Sequence, residues 1–361
     1  MLQLIFYPAL IILLFAGAKI MKKGEWNEDV LSFEHTKAFL GFASIVIIFH
    51  HASQKTCADW LDPHYIRHGL DLFVYAGYLC VAAFLFCSGY GMRTASRKEG
   101  FFKGYFRKRM LPIIIPTVLI WLVFFITERA RGVKVAPPLW INVYDYIWFI
   151  PAILYMYVWF YLSFHVMKNE KLRMPLLWTG VVLYIIFCFF FSPGTWWYNT
   201  VHLFAVGAGF AGNSERRLQR LKSRYPLKVI LFILLTLIFF VAGNYYPMLT
   251  FILHKQYNGM IHRLLEGPCQ MISAYTFVIS LILLGLKIHI GNRLIKTLGT
   301  FTLELYLLHP YFVQLFAFAF INVGNRPVFY IKDPFLYVLA IIIPSIPLAY
   351  FEKKLITHFK K

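Results

Sequence analysis

The chain has 361 residues, of which 60% are hydrophobic and only 14% are charged. Soluble domains average about 25% charged residues, so this composition excludes a soluble globular enzyme, and its high hydrophobicity excludes a disordered chain. The 36 Lys and Arg residues outnumber the 16 Asp and Glu residues. In a soluble protein this excess would indicate nucleic-acid binding, whereas in a membrane protein it reflects the basic residues of cytoplasmic loops.

Eleven predominantly apolar segments are predicted to cross a lipid bilayer as helices, because a span needs roughly 20 apolar residues. Their ranges are 2–20, 38–53, 72–92, 110–127, 146–166, 174–192, 196–211, 228–247, 267–286, 298–321 and 334–351. We therefore predict an all-α, polytopic transmembrane helix bundle of ten or eleven spans, forming a single domain over residues 1–361.

The basic residues predict how these spans are oriented. Of the 36 Lys and Arg residues, 27 lie in every second loop and in the C-terminal segment. Since basic residues accumulate in cytoplasmic loops, the N-terminus is predicted outside and the C-terminus in the cytoplasm. This alternation accounts for the basic composition, so no nucleic-acid partner is predicted.

Ionisable side chains inside the spans are few, and each is a functional candidate because such a group is costly in lipid. They are His50, His51, His165, His202, Glu304 and His309. A neutral imidazole can take a proton from a hydroxyl near neutral pH, whereas the alternative for a lone histidine is a structural hydrogen bond. Glu304 and His309 lie about 140° apart around a helix and can line one cavity from two walls.

Three other patterns favour structural interpretations. Residues 207–212 read GAGFAG and fit GxGxxG, but they lie in an apolar span, which favours close helix packing by small residues. His64 and His68 have the i,i+4 spacing of metal ligands but have no nearby Cys, so no metal site is predicted. Free thiols are favoured over a disulfide between Cys57 and Cys269.

Five segments stand out in order along the chain: Thr36–His51, Phe84–Tyr90, Phe106–Pro112, Trp148–Pro151 with the span that follows, and Leu298–His309. Together they resemble the motifs of one family, the acyltransferase-3 family of integral membrane O-acyltransferases. The resemblance covers residues 36–351 and leaves residues 1–35 as an extra N-terminal span and cytoplasmic loop.

The resemblance implies transfer of an acyl group, in the first place acetyl, from acyl-CoA to a hydroxyl of a sugar, a glycan or a lipid-linked acceptor at the cell membrane. It makes His51 the expected general base, with Glu304 and His309 completing the catalytic set. The family has a basic residue eleven positions before this histidine, where this chain has Leu40. Lys37, one helical turn earlier, is the expected replacement.

Acyl-CoA is expected as a donor substrate, and no cofactor is predicted. The basic loop 93–109 is its expected binding site, because the phosphates of the donor are cytoplasmic; charge that serves only orientation is the alternative. The expected donor-binding residues are Arg93, Arg107 and Arg109. A channel must then connect this loop with His51. The residues expected to line it are His50, Ser88, Tyr90 and Trp148.

A different class of protein also fits buried His and Glu residues in a membrane bundle, namely a proton-coupled transporter or flippase. Common transporter folds contain inverted repeats with paired broken helices. The sequence has no such pairing, which favours the acyltransferase interpretation.

Overall fold

A computed structural model describes residues 2–130, 148–192, 194–245, 259–317 and 331–358. Over these residues the protein is all-α, as predicted, and has fourteen α-helices. They are α1 (Phe6–Phe15), α2 (Phe33–Gln54), α3 (Gly77–Ala95), α4 (Tyr105–Arg109), α5 (Leu111–Ala130), α6 (Phe149–Tyr161), α7 (Glu170–Phe191), α8 (His202–Gly212), α9 (Ser214–Lys222), α10 (Tyr225–Asn244), α11 (Gly259–Gly285), α12 (Arg293–Leu298), α13 (Thr302–Leu315) and α14 (Pro334–His358).

Each of the eleven predicted spans overlaps an α-helix. Four of these helices, α1, α6, α8 and α13, have fewer than 15 residues. Seven helical segments in the described part of the chain are long and apolar enough to cross a membrane: Phe33–Gln54, Asp71–Ala95, Phe149–Val166, Glu170–Phe191, Tyr225–Asn244, Gly259–Gly285 and Pro334–His358. The chain is therefore a multi-pass membrane protein. The predicted span 298–321 is divided, because α12 ends at Leu298 and α13 begins at Thr302. Residues 146–147, 246–247 and 318–321 of the predicted spans lie outside the described residues.

Helix α10 illustrates how the bundle meets lipid. Its most apolar window has a mean hydropathy of 2.5, yet only 11% of that window is buried in the protein. In water such an exposed apolar surface would drive association, but in a bilayer the lipid tails cover it. The exposed side chains Leu234, Leu237 and Ile238 thus mark a lipid-facing surface.

The loops rich in basic residues meet at one end of the bundle, which we call the basic end. There β1 (Lys19–Ile20) pairs antiparallel with β2 (Ile288–His289), with Lys19 opposite His289. The ammonium of Lys222 donates to Glu28 Oε1 at 2.7 Å, and Arg97 donates to the carbonyl of Ala211 at 2.7 Å. Segments that are far apart in sequence but predicted on the same side of the membrane are therefore neighbours.

Helices α3 and α8 pack closely through glycines. A Cβ atom built on Gly207 comes within 2.1 Å of the Phe86 carbonyl oxygen, and one built on Gly89 within 1.9 Å of the Phe204 carbonyl oxygen. Only residues without a side chain permit this backbone approach. The packing interpretation of residues 207–212 is confirmed for Gly207.

Candidate functional site

A cavity of about 500 Å³ opens at the end of the bundle opposite the basic end, and we call it the histidine cavity. One wall is the last part of α2, with Ile47, His50, His51, Gln54 and Lys55. The facing wall combines the short segment after α7 with α11 and is lined by Thr195, Trp196, Asn199, Glu266 and Gln270.

Two histidines of distant helices meet beside this cavity. His51 Nδ1 lies 2.7 Å from His309 Nε2, and the two rings stack nearly parallel with centroids 4.9 Å apart. His309 Nδ1 lies 2.8 Å from the carbonyl oxygen of Leu305. Both imidazoles are buried, His51 at 8% and His309 at 0% exposure.

The hydrogen bonds assign the tautomers of this pair. A carbonyl oxygen only accepts, so His309 donates from Nδ1 to Leu305, and its neutral ring then accepts at Nε2. His51 must donate from Nδ1, which leaves the basic lone pair of His51 on Nε2. His309 thus holds His51 in the tautomer that a general base needs.

A pair of glycines sets the register between the helices that carry these histidines. A Cβ on Gly41 of α2 would lie 2.1 Å from the Ile295 carbonyl oxygen of α12. A Cβ on Gly299, just after α12, would lie 2.2 Å from the Lys37 carbonyl oxygen. His51 follows Gly41 by ten positions, and His309 also follows Gly299 by ten positions. Because the two segments run in the same direction from the glycine contact, His51 and His309 lie at the same level of the bundle.

His50 is held in a different way from its neighbour. Its Nδ1 atom donates to the Phe73 carbonyl oxygen at 2.9 Å, which fixes the ring against the cavity wall. A Cβ on Gly77 would come within 2.1 Å of His50 Cδ2, so the ring fits only beside a glycine. Of the four residues predicted to line the channel, His50 and Trp148 line this cavity.

The facing wall is a continuous hydrogen-bonded network that the sequence analysis missed. Gln270 accepts from Asn199 Nδ2 at 2.8 Å and donates to Glu266 Oε1 at 2.7 Å. Thr195 Oγ1 also donates to Glu266 Oε1, at 2.9 Å. Glu266 was missed because the predicted span began at residue 267, whereas α11 begins at Gly259. The i,i+4 spacing of Glu266 and Gln270 is the sequence signal that points to a shared helix face.

Glu304 is placed away from the histidines. It is 1% exposed, and its Oε1 atom accepts from Lys353 Nζ of α14 at 2.9 Å. Neither Glu304 nor His309 is among the residues that line the histidine cavity, and the Glu304 carboxylate points to α14 instead. Lys353 was missed because the predicted last span ended at residue 351, while α14 continues to His358.

Lys37, Ser88 and Tyr90 lie outside the lining of the histidine cavity. Lys37 borders an open, basic depression of about 460 Å³ that also includes Arg293 and Lys296. Ser88 Oγ lies 3.1 Å from Tyr157 OH, and the Tyr90 ring stacks on Phe86. These three residues therefore lie nearer the basic end than the histidine cavity does, and their predicted catalytic and channel-lining roles stay predictions.

The three predicted donor-binding arginines differ in environment. The guanidinium of Arg93 lies 4.3 Å from the centre of the Phe164 ring, and that of Arg109 lies 4.7 Å from the centre of the Phe101 ring. Arg109 Nε is buried without a hydrogen-bond partner among the described residues, while Arg107 is exposed. The Nε donor of Arg109 is thus not satisfied by any residue that the structure describes.

The cysteines and the outer histidines form neither a disulfide nor a metal site among the described residues. All five cysteines, including Cys57 and Cys269, are free thiols in the structure. His68 Nδ1 contacts Asp71 Oδ1 at 2.7 Å, and His64 lies in an exposed turn. Within the described ranges, His, Cys, Asp and Glu form no group of three that can hold a metal ion.

The fold and the site together define a multi-pass membrane helix bundle in which two buried, hydrogen-bonded histidines lie beside a cavity. Comparison with family models assigns the chain: residues 41–351 match the acyltransferase domain of the acyltransferase-3 family. The protein therefore belongs to this family and is a membrane acyltransferase. Curated proteins and solved structures give no significant match.

Proposed function

We propose that the protein transfers an acyl group, in the first place acetyl, from acyl-CoA to a hydroxyl group of a sugar, a glycan or a lipid-linked acceptor, with His51 as general base. The observation that carries this proposal is the hydrogen-bonded chain from His51 through His309 to the Leu305 carbonyl. It leaves a basic nitrogen on a residue that lines a cavity large enough for a small acceptor.

The proposed reaction has two proton transfers at one atom. His51 Nε2 takes the proton of the acceptor hydroxyl as the oxygen attacks the thioester carbonyl carbon, which forms the new C–O bond. The tetrahedral intermediate collapses, the C–S bond breaks, and the thiol of CoA leaves with the proton from His51. His309 acts as a positioning residue, because it touches His51 rather than the reacting atoms.

The route of the donor is supported by a second, smaller cavity of about 70 Å³. It shares Ile47, Val81 and Tyr306 with the lining of the histidine cavity and continues to Ser44, one turn further toward the basic end. Its lining is mainly apolar, as a short acyl group requires. We propose that the acyl group reaches His51 along α2 while the phosphates stay at the basic end.

At the basic end, Arg109 is the strongest candidate for the donor phosphates, with Arg93 and Arg107 beside it. This proposal rests on the buried, unsatisfied Arg109 Nε, since arginine binds phosphate through several N–H groups. The basic end is proposed to face the cytoplasm of a cell membrane, because it holds most of the Lys and Arg residues. The N-terminus then lies outside and the histidine cavity opens to the exterior.

The experiment is a turnover assay on the purified, full-length chain in lipid nanodiscs with [14C]acetyl-CoA. Hydrolysis of acetyl-CoA, and transfer to an added glycoside, should fall by about 10²- to 10⁴-fold in His51→Ala. The matched control is His64→Ala, a histidine at the same end of the bundle but in an exposed turn, which should retain full activity. Turnover that is equal in wild type and His51→Ala would overturn the assignment of the base.

A further inference from the structure

We propose that the wall facing His51 is an acceptor subsite for an uncharged, hydroxyl-rich ring, and that Glu266 selects against acceptors that carry a carboxylate. This inference rests on the proposed function and specifies its substrate class. It starts from the network of Glu266, Gln270 and Asn199, which lies across the histidine cavity from the proposed base.

The two carboxylate oxygens of Glu266 differ in their contacts: Oε1 accepts two hydrogen bonds, whereas Oε2 has only a distant neighbour among the described residues. Oε1 accepts from Thr195 and from Gln270, at 2.9 and 2.7 Å. Oε2 has His262 Nε2 at 3.7 Å, which is longer than a hydrogen bond. A carboxylate oxygen accepts at two positions, so Oε2 retains capacity for the hydroxyl of a ligand. The held Oε1 makes this acceptor preorganised.

Asn199 supplies a second unsatisfied acceptor. Its Nδ2 atom is committed to Gln270, and the side chain is 2% exposed. Its Oδ1 atom is buried and has no hydrogen-bond partner among the described residues. A buried carbonyl without a donor is costly, and a ligand hydroxyl would remove that cost once it displaces the side chains that cover the atom. Two acceptors on one wall therefore call for a ligand with several O–H donors.

Aromatic side chains form the rim of the same cavity. Trp60 and Trp196 line it and remain 50% and 40% exposed, so their faces are available to a ligand. Tyr75 makes edge contacts with Trp60 at 6.0 Å and with Tyr245 at 5.4 Å between ring centres. Large, rigid aromatic faces beside hydrogen-bond acceptors suit a saturated ring that has C–H faces and an O–H edge.

The charges on the two walls differ in sign. The facing wall carries Glu266, and at the rim Tyr75 donates to the carboxylate of Asp59 at 3.2 Å. The charged residue on the histidine wall is Lys55, in the turn after α2. An acceptor carboxylate that approaches the facing wall is repelled by Glu266, whereas a neutral hydroxyl is bound. The subsite therefore discriminates by charge at a position away from the reacting hydroxyl.

The test compares two acceptor probes that differ only at C6, methyl β-D-glucopyranoside and methyl β-D-glucopyranosiduronic acid. In wild type, the KM of the uronic acid should exceed that of the glucoside by at least about tenfold. Glu266→Gln is nearly isosteric but removes the charge. It should raise the KM of the glucoside by about tenfold and reduce the ratio between the probes to below about threefold.

The control variant is Asp62→Asn, which removes a carboxylate from the same end of the bundle but outside the cavity lining. It should leave both KM values unchanged. Saturation-transfer NMR of the two probes with the protein in nanodiscs, without donor, measures the subsite independently of turnover. An unchanged probe preference in Glu266→Gln, or a wild-type preference for the uronic acid, would overturn the subsite. Acetyl-CoA hydrolysis that is equal in wild type and His51→Ala would instead overturn the proposed function.

Discussion

Gly299→Ala is expected to inactivate the site from ten residues away, without changing a histidine. The new Cβ atom would lie 2.2 Å from the Lys37 carbonyl oxygen, about 1.2 Å short of the 3.4 Å at which ordinary contact begins. The obstacle is backbone, so α2 and the segment after α12 must part. If α13 follows as a rigid unit, the 2.7 Å hydrogen bond between His51 and His309 lengthens to about 3.9 Å, where it no longer exists.

The expected loss of acyl transfer is roughly 10- to 100-fold, as for other changes that disturb the orientation of a reactive group through its neighbour. Overpacking should also lower the free energy of unfolding by about 1–3 kcal/mol. Turnover of [14C]acetyl-CoA and thermal unfolding in nanodiscs measure the two effects. The control is Gly91→Ala in α3, where a Cβ meets no atom within 4 Å and both quantities should be unchanged or improved. A folded Gly299→Ala protein with wild-type turnover would refute the register argument.

Three further outcomes are expected. His309→Ala should lower turnover about 100-fold at constant pH, whereas His309→Gln should lose less, because an amide oxygen can still accept the Nδ1 proton of His51; equal rates in the two variants would contradict this. Lys353→Met should lower the free energy of unfolding by about 1–3 kcal/mol, because it leaves the buried Glu304 carboxylate without its partner; the loss is limited because Lys353 is 43% exposed. Adding Glu304→Gln should recover part of this loss in thermal unfolding. Burial raises the pKa of the Cys57 thiol to about 11, so its reaction with a maleimide should be slow at pH 7 and still increase above pH 9; a rate that levels off near pH 9 would show an ordinary thiol.

The helices and the proposed base could be predicted from the sequence because both signals are local. Apolar segments of span length require helices in lipid, whichever neighbours they have. His51 and His309 stand out because ionisable residues are rare in such segments. Their hydrogen bond, by contrast, joins residues 258 positions apart and could not be derived from local spacing.

Two site residues depended on where a helix ends, which hydropathy describes poorly. Polar residues at the ends of α11 and α14 lowered the apolar signal, so the predicted spans stopped one residue short of Glu266 and two residues short of Lys353. Glu266 belongs to the hydrogen-bonded network with Gln270, and Lys353 pairs with the buried Glu304. The shorter prediction therefore left Glu304 without its partner Lys353.

The glycines of the two resembling segments acquire a physical reason from the structure. Gly41 precedes His51 by ten residues, and Gly299 precedes His309 by ten residues, so the equal spacing is already visible in the sequence. Its meaning requires knowing that the two segments are parallel and in contact at the glycines. An insertion in either segment between glycine and histidine would rotate one imidazole by about 100° around its helix. The spacing decides which atoms of the two histidines meet, so in the proposed mechanism it constrains the position of the base as well as the packing of the helices.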